Sequence, residues 1–113
     1  MPKKPEQLLP LNEGAYLIMA SLAEPCHGYG IMQEVAALDA GGLKLGPGTL
    51  YTALGKLTDQ GLIRPMEASG EGDRRKLYRL TPLGLEVLIL ENRRLAALAE
   101  WGRKRLLKTG VKL

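Results

Sequence analysis

Apolar residues recur with helical spacing in four stretches of this chain, and between the third and fourth they alternate as strands do. Asn12 stands at a capping position ahead of residues 15–23, which are apolar on most faces and predict a buried helix closed by Pro25. Cys26-His27-Gly28 forms a link to a second helix over residues 29–38, with Ile31, Val35 and Leu38 on its inner face. Asp39-Ala40-Gly41-Gly42 marks a turn, and Leu43-Lys44-Leu45 predicts a very short strand with both leucines on one side.

The third helix is the most informative. Gly46-Pro47-Gly48 punctuates the backbone, and Pro47 suits a first helical position in a helix running to about residue 60. Leu50, Leu54 and Leu57 fall at i, i+4 and i+7 and make one buried stripe. The opposite face carries Thr49, Thr52, Lys56 and Asp59, flanked by Tyr51 and Gly55, and Gly61 supplies the stop. A front of small, hydroxyl-bearing and basic side chains suits a groove about as wide as the DNA major groove, roughly 12 Å.

Residues 62–68 predict a strand that Pro65 confines to an edge. After the Ser69-Gly70-Glu71-Gly72-Asp73 tip, residues 74–80 return with Tyr78 and Leu80 inward and Leu77 and Arg79 outward. Thr81-Pro82 reads as a cap followed by proline at the first helical position, opening a final helix of about 26 residues, roughly 39 Å long. Leu85, Leu88, Ile89, Leu95, Ala96, Ala99 and Leu106 form its broad apolar stripe, widened by Val87, Leu90, Leu98 and Trp101. A helix this apolar, extending past a domain of about 80 residues, predicts a homodimer rather than a monomer with a large exposed face. The plainer alternative is that it folds back over the first helix.

The chain has 113 residues, one domain's length, and a net charge of +4 from 16 Lys+Arg against 12 Asp+Glu. That excess favours a polyanionic partner, although a solvated surface would account for it equally well. A single cysteine excludes an intrachain disulfide, and the longest apolar run is far short of the ~20 residues of a membrane span. The basic start, Met1-Pro-Lys-Lys-Pro5, is followed by no secretion-type apolar core, so a cytoplasmic protein is expected.

A helix with a free polar front, then a hairpin whose returning strand opens on Arg74-Arg75-Lys76, is the layout of a winged helix-turn-helix. The fold expected is mainly α (α+β), with a two- to three-stranded wing. It divides into a flexible arm over residues 1–10, a DNA-binding domain over 11–80 and a dimerisation helix over 81–113. His27-Gly28-Tyr29, Pro47-Gly48-Thr49-Leu50-Tyr51, Leu54-x-x-Leu57, Gly61-Leu62-Ile63 and Arg74-Arg75-Lys76-x-Tyr78-Arg79-Leu80-Thr81 resemble the PadR family of transcriptional regulators, in order and with its spacing. The resemblance implies that Gly48, Thr49, Tyr51, Thr52 and Lys56 face a DNA duplex. It also implies a homodimer joined through the last helix, with Leu85, Leu88, Leu95, Ala99 and Leu106 at the seam, bound to a palindromic operator. A repressor acting by occlusion, relieved by a small aromatic ligand, follows as the expected function. A winged-helix module for protein contacts and a multidrug-binding sensor with a secondary DNA role are the alternatives.

The candidate residues each carry a plainer reading. The third helix's face would otherwise be solvated surface, and Tyr51 either contacts a phosphate or packs beside the core. Arg74, Arg75 and Lys76 follow a Gly-rich tip that can bend into a minor groove or along a phosphate backbone; they would otherwise balance Glu71 and Asp73, and Arg79 would pair with a neighbouring acid. Trp101 is a candidate wall for a ligand pocket between subunits, against simple packing. Cys26 and His27 are the only residues of their kinds; adjacent in sequence, they make a poor nucleophile–base pair and cannot build a zinc site. Cys26 reads as a buried thiol and His27 as a local hydrogen-bonding partner at the start of the second helix. No catalytic set and no cofactor site are expected.

Overall fold

The elements follow in the order α1 (Glu13–Ser21), β1 (Cys26–His27), α2 (Gly28–Ala37), α3 (Pro47–Asp59), β2 (Ile63–Met66), β3 (Leu77–Leu80) and α4 (Pro82–Leu107). They come from a computed structural model that describes residues 3–38, 44–66 and 76–113. The helix starts obey the capping chemistry that the sequence announces. Asn12 stays extended and its side chain accepts a 2.8 Å hydrogen bond from the Ala15 N–H, opening α1. Thr81 does the same for α4, accepting from the Gly84 N–H at 3.0 Å while donating to the Gly61 carbonyl. Gly61 takes a positive φ of 76°, which lets the chain leave α3 and enter β2 directly.

The core gathers one stripe from each helix. Ile18 and Met19 of α1, Ile31 of α2, Leu50 and Leu54 of α3, Leu62 and Ile63, and Val87 of α4 are all fully buried. At roughly 1.5–3 kcal/mol per large buried side chain, this cluster is the main force fixing the three-helix body. The sheet is antiparallel in the order β1-β3-β2, so Pro65 lies on an edge strand as its missing N–H requires. Tyr78 points inward from the middle strand, opposite Cys26 on one side and Pro65 on the other.

Several expectations change. The third strand is supplied by Cys26–His27, and Lys44 and Leu45 of the strand expected at 43–45 join no ladder: β3 has one free edge once β2 is paired, and the extended link before α2 takes it. Leu45 packs partly against the core, and Leu43 lies outside the described residues. Among the described residues the wing strands run Ile63–Met66 and Leu77–Leu80, and the rest of the expected strands and the tip, at 67–75 with Arg74 and Arg75, lies outside them. Leu38 is half exposed rather than inward, because α2 ends at Ala37 and the extended backbone of Leu38 (ψ 114°) leaves the helical period. Residues 1–10 were expected to be a loose arm. Within it Pro5–Leu8 forms a 3-10 turn, and Leu8 and Leu9, with Leu11 just beyond, pack against the core.

α4 has its expected length of 26 residues, but its faces differ from the single stripe expected. Gly84, Val87 and Glu91 are buried on the body, with Leu88 packed partly against it. Leu85, Ile89, Leu98, Trp101 and Leu106 are exposed, and no described residue after Leu95 packs into the core. No helix among the described residues is long and apolar enough to cross a membrane.

Candidate nucleic-acid interface

The polar front of α3 exists because its leucines turn the other way. With Leu50, Leu54 and Leu57 buried, Gly48, Thr49, Thr52 and Lys56 are left in solvent. Pro47 opens the helix and Gly46, its cap, has no side chain to offer, so the first-turn N–H groups lack a side-chain acceptor. A helix N-terminus in that state favours an anionic partner. A Cβ placed on Gly48 would meet nothing within 4 Å, so the backbone there is open to close approach from outside.

Gly48, Thr49, Thr52 and Lys56 together form one wall of an open cleft of about 820 Å³. The facing wall is Asn12, Glu13 and Gly14 at the start of α1. Thr49, Thr52 and Lys56 were expected on one face and Gly48 beside them through the family resemblance, but no role was expected for the α1 wall. The cap signal at Asn12 marked an open helix start, yet only the packing of α1 on α3 shows that it faces the recognition-type helix.

Tyr51 stands apart from that cleft. It is 54% exposed, and a Cβ on Gly28 would lie 2.9 Å from its hydroxyl, so the phenol rests on the start of α2. The ring is therefore anchored at its tip while its flank stays in solvent. Burial raises the Tyr78 pKa above the ordinary tyrosine value, with the neighbouring Tyr51 adding to the effect. The Tyr78 phenol stays neutral and hydrogen-bond capable at physiological pH.

At the wing, Lys76 is exposed immediately before β3, while Arg74 and Arg75 lie outside the described residues. His27 was expected to bond locally at the start of α2. Its side chain makes no cap bond, and Nδ1 instead lies 3.3 Å from the Lys76 carbonyl oxygen, because β1–β3 pairing brings the two together. Burial, followed by the nearby Glu34 carboxylate, raises the Cys26 thiol above its usual range, which disfavours the reactive thiolate. Among the described residues no group of three His, Cys, Asp or Glu side chains is gathered to hold a metal.

Trp101 is 67% exposed, and the guanidinium carbon of Arg105 lies 5.9 Å from its ring centroid. A separate groove of about 290 Å³ lies between α1 and α4, where Asn92 donates to the Tyr16 hydroxyl at 2.8 Å. Trp101 is not part of it.

The model of the transcriptional regulator PadR-like family matches residues 17–89. A transcriptional regulator of Mycobacterium tuberculosis is 37% identical over 73 residues, which is 65% of this chain and 65% of that protein. The chain thus spans less than two thirds of that relative, and 24% of the length of another curated relative, a protein from a Streptomyces fradiae transposon. Among solved structures, a PadR family transcription regulator from Clostridium difficile superposes with a TM-score of 0.72 at 27% identity, over 82% of this chain and 97% of that one. Bacillus subtilis PadR in complex with operator DNA superposes with a TM-score of 0.60 at 27% identity, over 70% of this chain and 46% of that one.

Proposed function

The chain belongs to the PadR-like family of transcriptional regulators, and from that premise we propose that it binds double-stranded DNA as a homodimeric repressor. The observation that carries this reading is the α3 face. Gly48, Thr49, Thr52 and Lys56 line one open cleft behind which the three leucines of the same helix are locked in the core. Thr49 and Thr52 would contact bases or phosphates, Lys56 a phosphate, and Gly48 would let the backbone approach the groove edge. Tyr51, held at its tip by Gly28, would present its hydroxyl beside the same strand. Lys76, with Arg74 and Arg75 before it, would follow the phosphates from the wing. The solved complex of the Bacillus subtilis relative with operator DNA supports the choice of partner.

Residues 11–80 form the reading unit and residues 81–113 the pairing unit in this proposal. The exposed apolar residues of α4, Leu85, Leu98, Ala99, Trp101 and Leu106, would meet a second copy. Leu88 and Leu95, only half exposed, would sit at the rim between that seam and the body. Two copies related by a two-fold axis would address a palindromic operator with half-sites about 34–36 Å apart, or a multiple of that. Occlusion of the promoter requires nothing beyond binding. A small aromatic effector would enter between the subunits beside Trp101 and alter the separation of the two reading heads.

The test is fluorescence anisotropy with a labelled duplex from upstream of the chain's own gene and a scrambled control, at 50 and 200 mM salt. Preference for the upstream duplex, with affinity falling about 10³-fold or more across that range, is the expected result for several phosphate contacts. Absence of binding even at 50 mM would turn the reading towards a module for protein contacts.

A further inference from the structure

The outer face of the wing sheet carries two cations that nothing among the described residues neutralises. Ile63 with Leu80 and Pro65 with Tyr78 are the inward pairs of β2 and β3, so the register sets Arg64 directly opposite Arg79 on the outward face. Side chains so paired have Cβ atoms about 4.5–5.5 Å apart, and like charges there repel. Neither arginine has an ion-pair partner among the described residues. Arg79 Nε is moreover shut from solvent without any hydrogen-bond acceptor. A repelling pair and an unsatisfied guanidinium Nε in one cross-strand row both oppose folding.

We infer that Arg64 and Arg79 form an anion site that takes one phosphate of the DNA backbone between them. This rests on the DNA-binding reading and extends it to a part of the wing that is neither recognition helix nor tip. A phosphate oxygen accepts from guanidinium N–H groups in a planar, bidentate way that a lysine pair would not reproduce. Placed between the two strands, it converts the repulsion into attraction to a shared anion, which the Arg79 guanidinium meets by turning its shielded Nε outward. The row lies on the same face as Leu77 and the exposed Lys76 immediately precedes the strand, so the site continues the cationic edge from the wing towards the body.

The experiment measures anisotropy with the upstream and scrambled duplexes over a salt series, together with thermal melting, for the full chain and four variants. These are Arg64→Gln/Arg79→Gln, Arg79→Gln alone, Arg79→Lys, and Lys108→Gln/Lys112→Gln at the far end as a net-charge control. The double arginine variant is expected to bind both duplexes about tenfold more weakly and to lose about one unit of salt slope. Its melting temperature should hold or rise, because the repulsion is gone. Arg79→Lys should retain most of the salt slope, and the lysine control should leave binding unchanged. Unchanged affinity and slope in the double variant would overturn the inference, as would a loss that tracks a fall of several degrees in melting temperature. A loss confined to the upstream duplex would overturn it too, since a phosphate contact is blind to sequence. Failure of the unaltered chain to bind either duplex would remove the DNA reading and this site with it.

Discussion

Glu91 Oε2 accepts a 2.6 Å hydrogen bond from the backbone N–H of Leu11, joining the middle of α4 to the segment that leads into α1, eighty residues away in sequence. The carboxylate is fully buried, and Arg94, one turn on, holds it from the partly exposed side through an ion pair. A buried charge with two partners is costly to disturb, and removing it would strand the Leu11 N–H and free the N-terminal segment.

That arrangement makes stability depend on pH. The Arg94 guanidinium holds the Glu91 carboxyl below the ordinary carboxylate range, burial opposes this, and the Leu11 N–H assists. A folded-state pKa below the unfolded value, about 4.3, means that the contribution is present above that value and lost as pH falls through the folded one. Melting temperature should therefore decline as pH falls below about 4.3, and Glu91→Gln should flatten that part of the profile. At pH 7 the variant should be less stable by about 1–3 kcal/mol, read by urea denaturation. A Glu91→Gln profile parallel to that of the unaltered chain would rule out Glu91 as the titrating group.

Gly84 gives a second stability prediction. It sits in the first turns of α4, and a Cβ added there would lie 1.8 Å from the Leu62 carbonyl oxygen. That carbonyl already accepts the Thr81 N–H at 3.1 Å, so it cannot move away without breaking the junction of β3 with α4. Alanine would gain about 1 kcal/mol of helix propensity, which the overlap outweighs. Gly84→Ala should lower stability by about 1–3 kcal/mol net, a fall of several degrees in melting temperature. Gly102→Ala, with nothing within 4 Å of the new Cβ, should do the reverse.

These residues show how far the sequence alone reaches. Leu50, Leu54 and Leu57, Asn12 and Thr81-Pro82 were legible because periodicity and capping are local rules, and the structure obeys them. The polar face of α3, with Thr49, Thr52 and Lys56, followed as the complement of its buried stripe. Cys26–His27 was missed as a strand because two residues carry no period; only β3's open edge makes them one. Glu91 was missed because an acid within an apolar helical pattern reads as surface until Leu11 and Arg94 are seen beside it. Asn12, Glu13 and Gly14 joined the cleft, and Arg64 its opposite number Arg79, through tertiary packing and strand register, which no local pattern encodes.

Thr49 and Lys56 should separate specificity from attraction. Both line the cleft, but a hydroxyl near the helix start can address a base edge whereas an ammonium two turns along addresses charge. Thr49→Val should weaken binding to the preferred duplex by about 1–3 kcal/mol and leave the scrambled duplex unaffected. Lys56→Gln should weaken both alike and reduce the salt slope by about 1. Identical behaviour of the two variants would argue against this division of roles.

The last prediction concerns what α4 does beyond the body. Val87, Glu91 and Leu98 fall at i, i+4 and i+11, so Leu98, with Trp101 one turn further, continues the stripe that is buried upstream. Past Leu95 the body has ended, and both side chains are left more than half exposed. A second stripe, Leu85, Ile89, Ala96, Ala99 and Leu106, lies in solvent along almost the whole helix. Two unpartnered apolar stripes on one helix are an unfavourable state for a monomer, and antiparallel or crossed pairing with a second α4 would cover both. The chain should sediment at about twice 12.3 kDa. Its single tryptophan should emit at shorter wavelength in the dimer than after dilution, because pairing removes the ring from water. Leu98→Glu should return the mass to that of one chain and red-shift the emission. It should also weaken operator binding far more than it lowers melting temperature, since each reading head remains folded but must then bind alone. A Leu98→Glu protein that stays dimeric would place the seam on the Leu85 stripe alone.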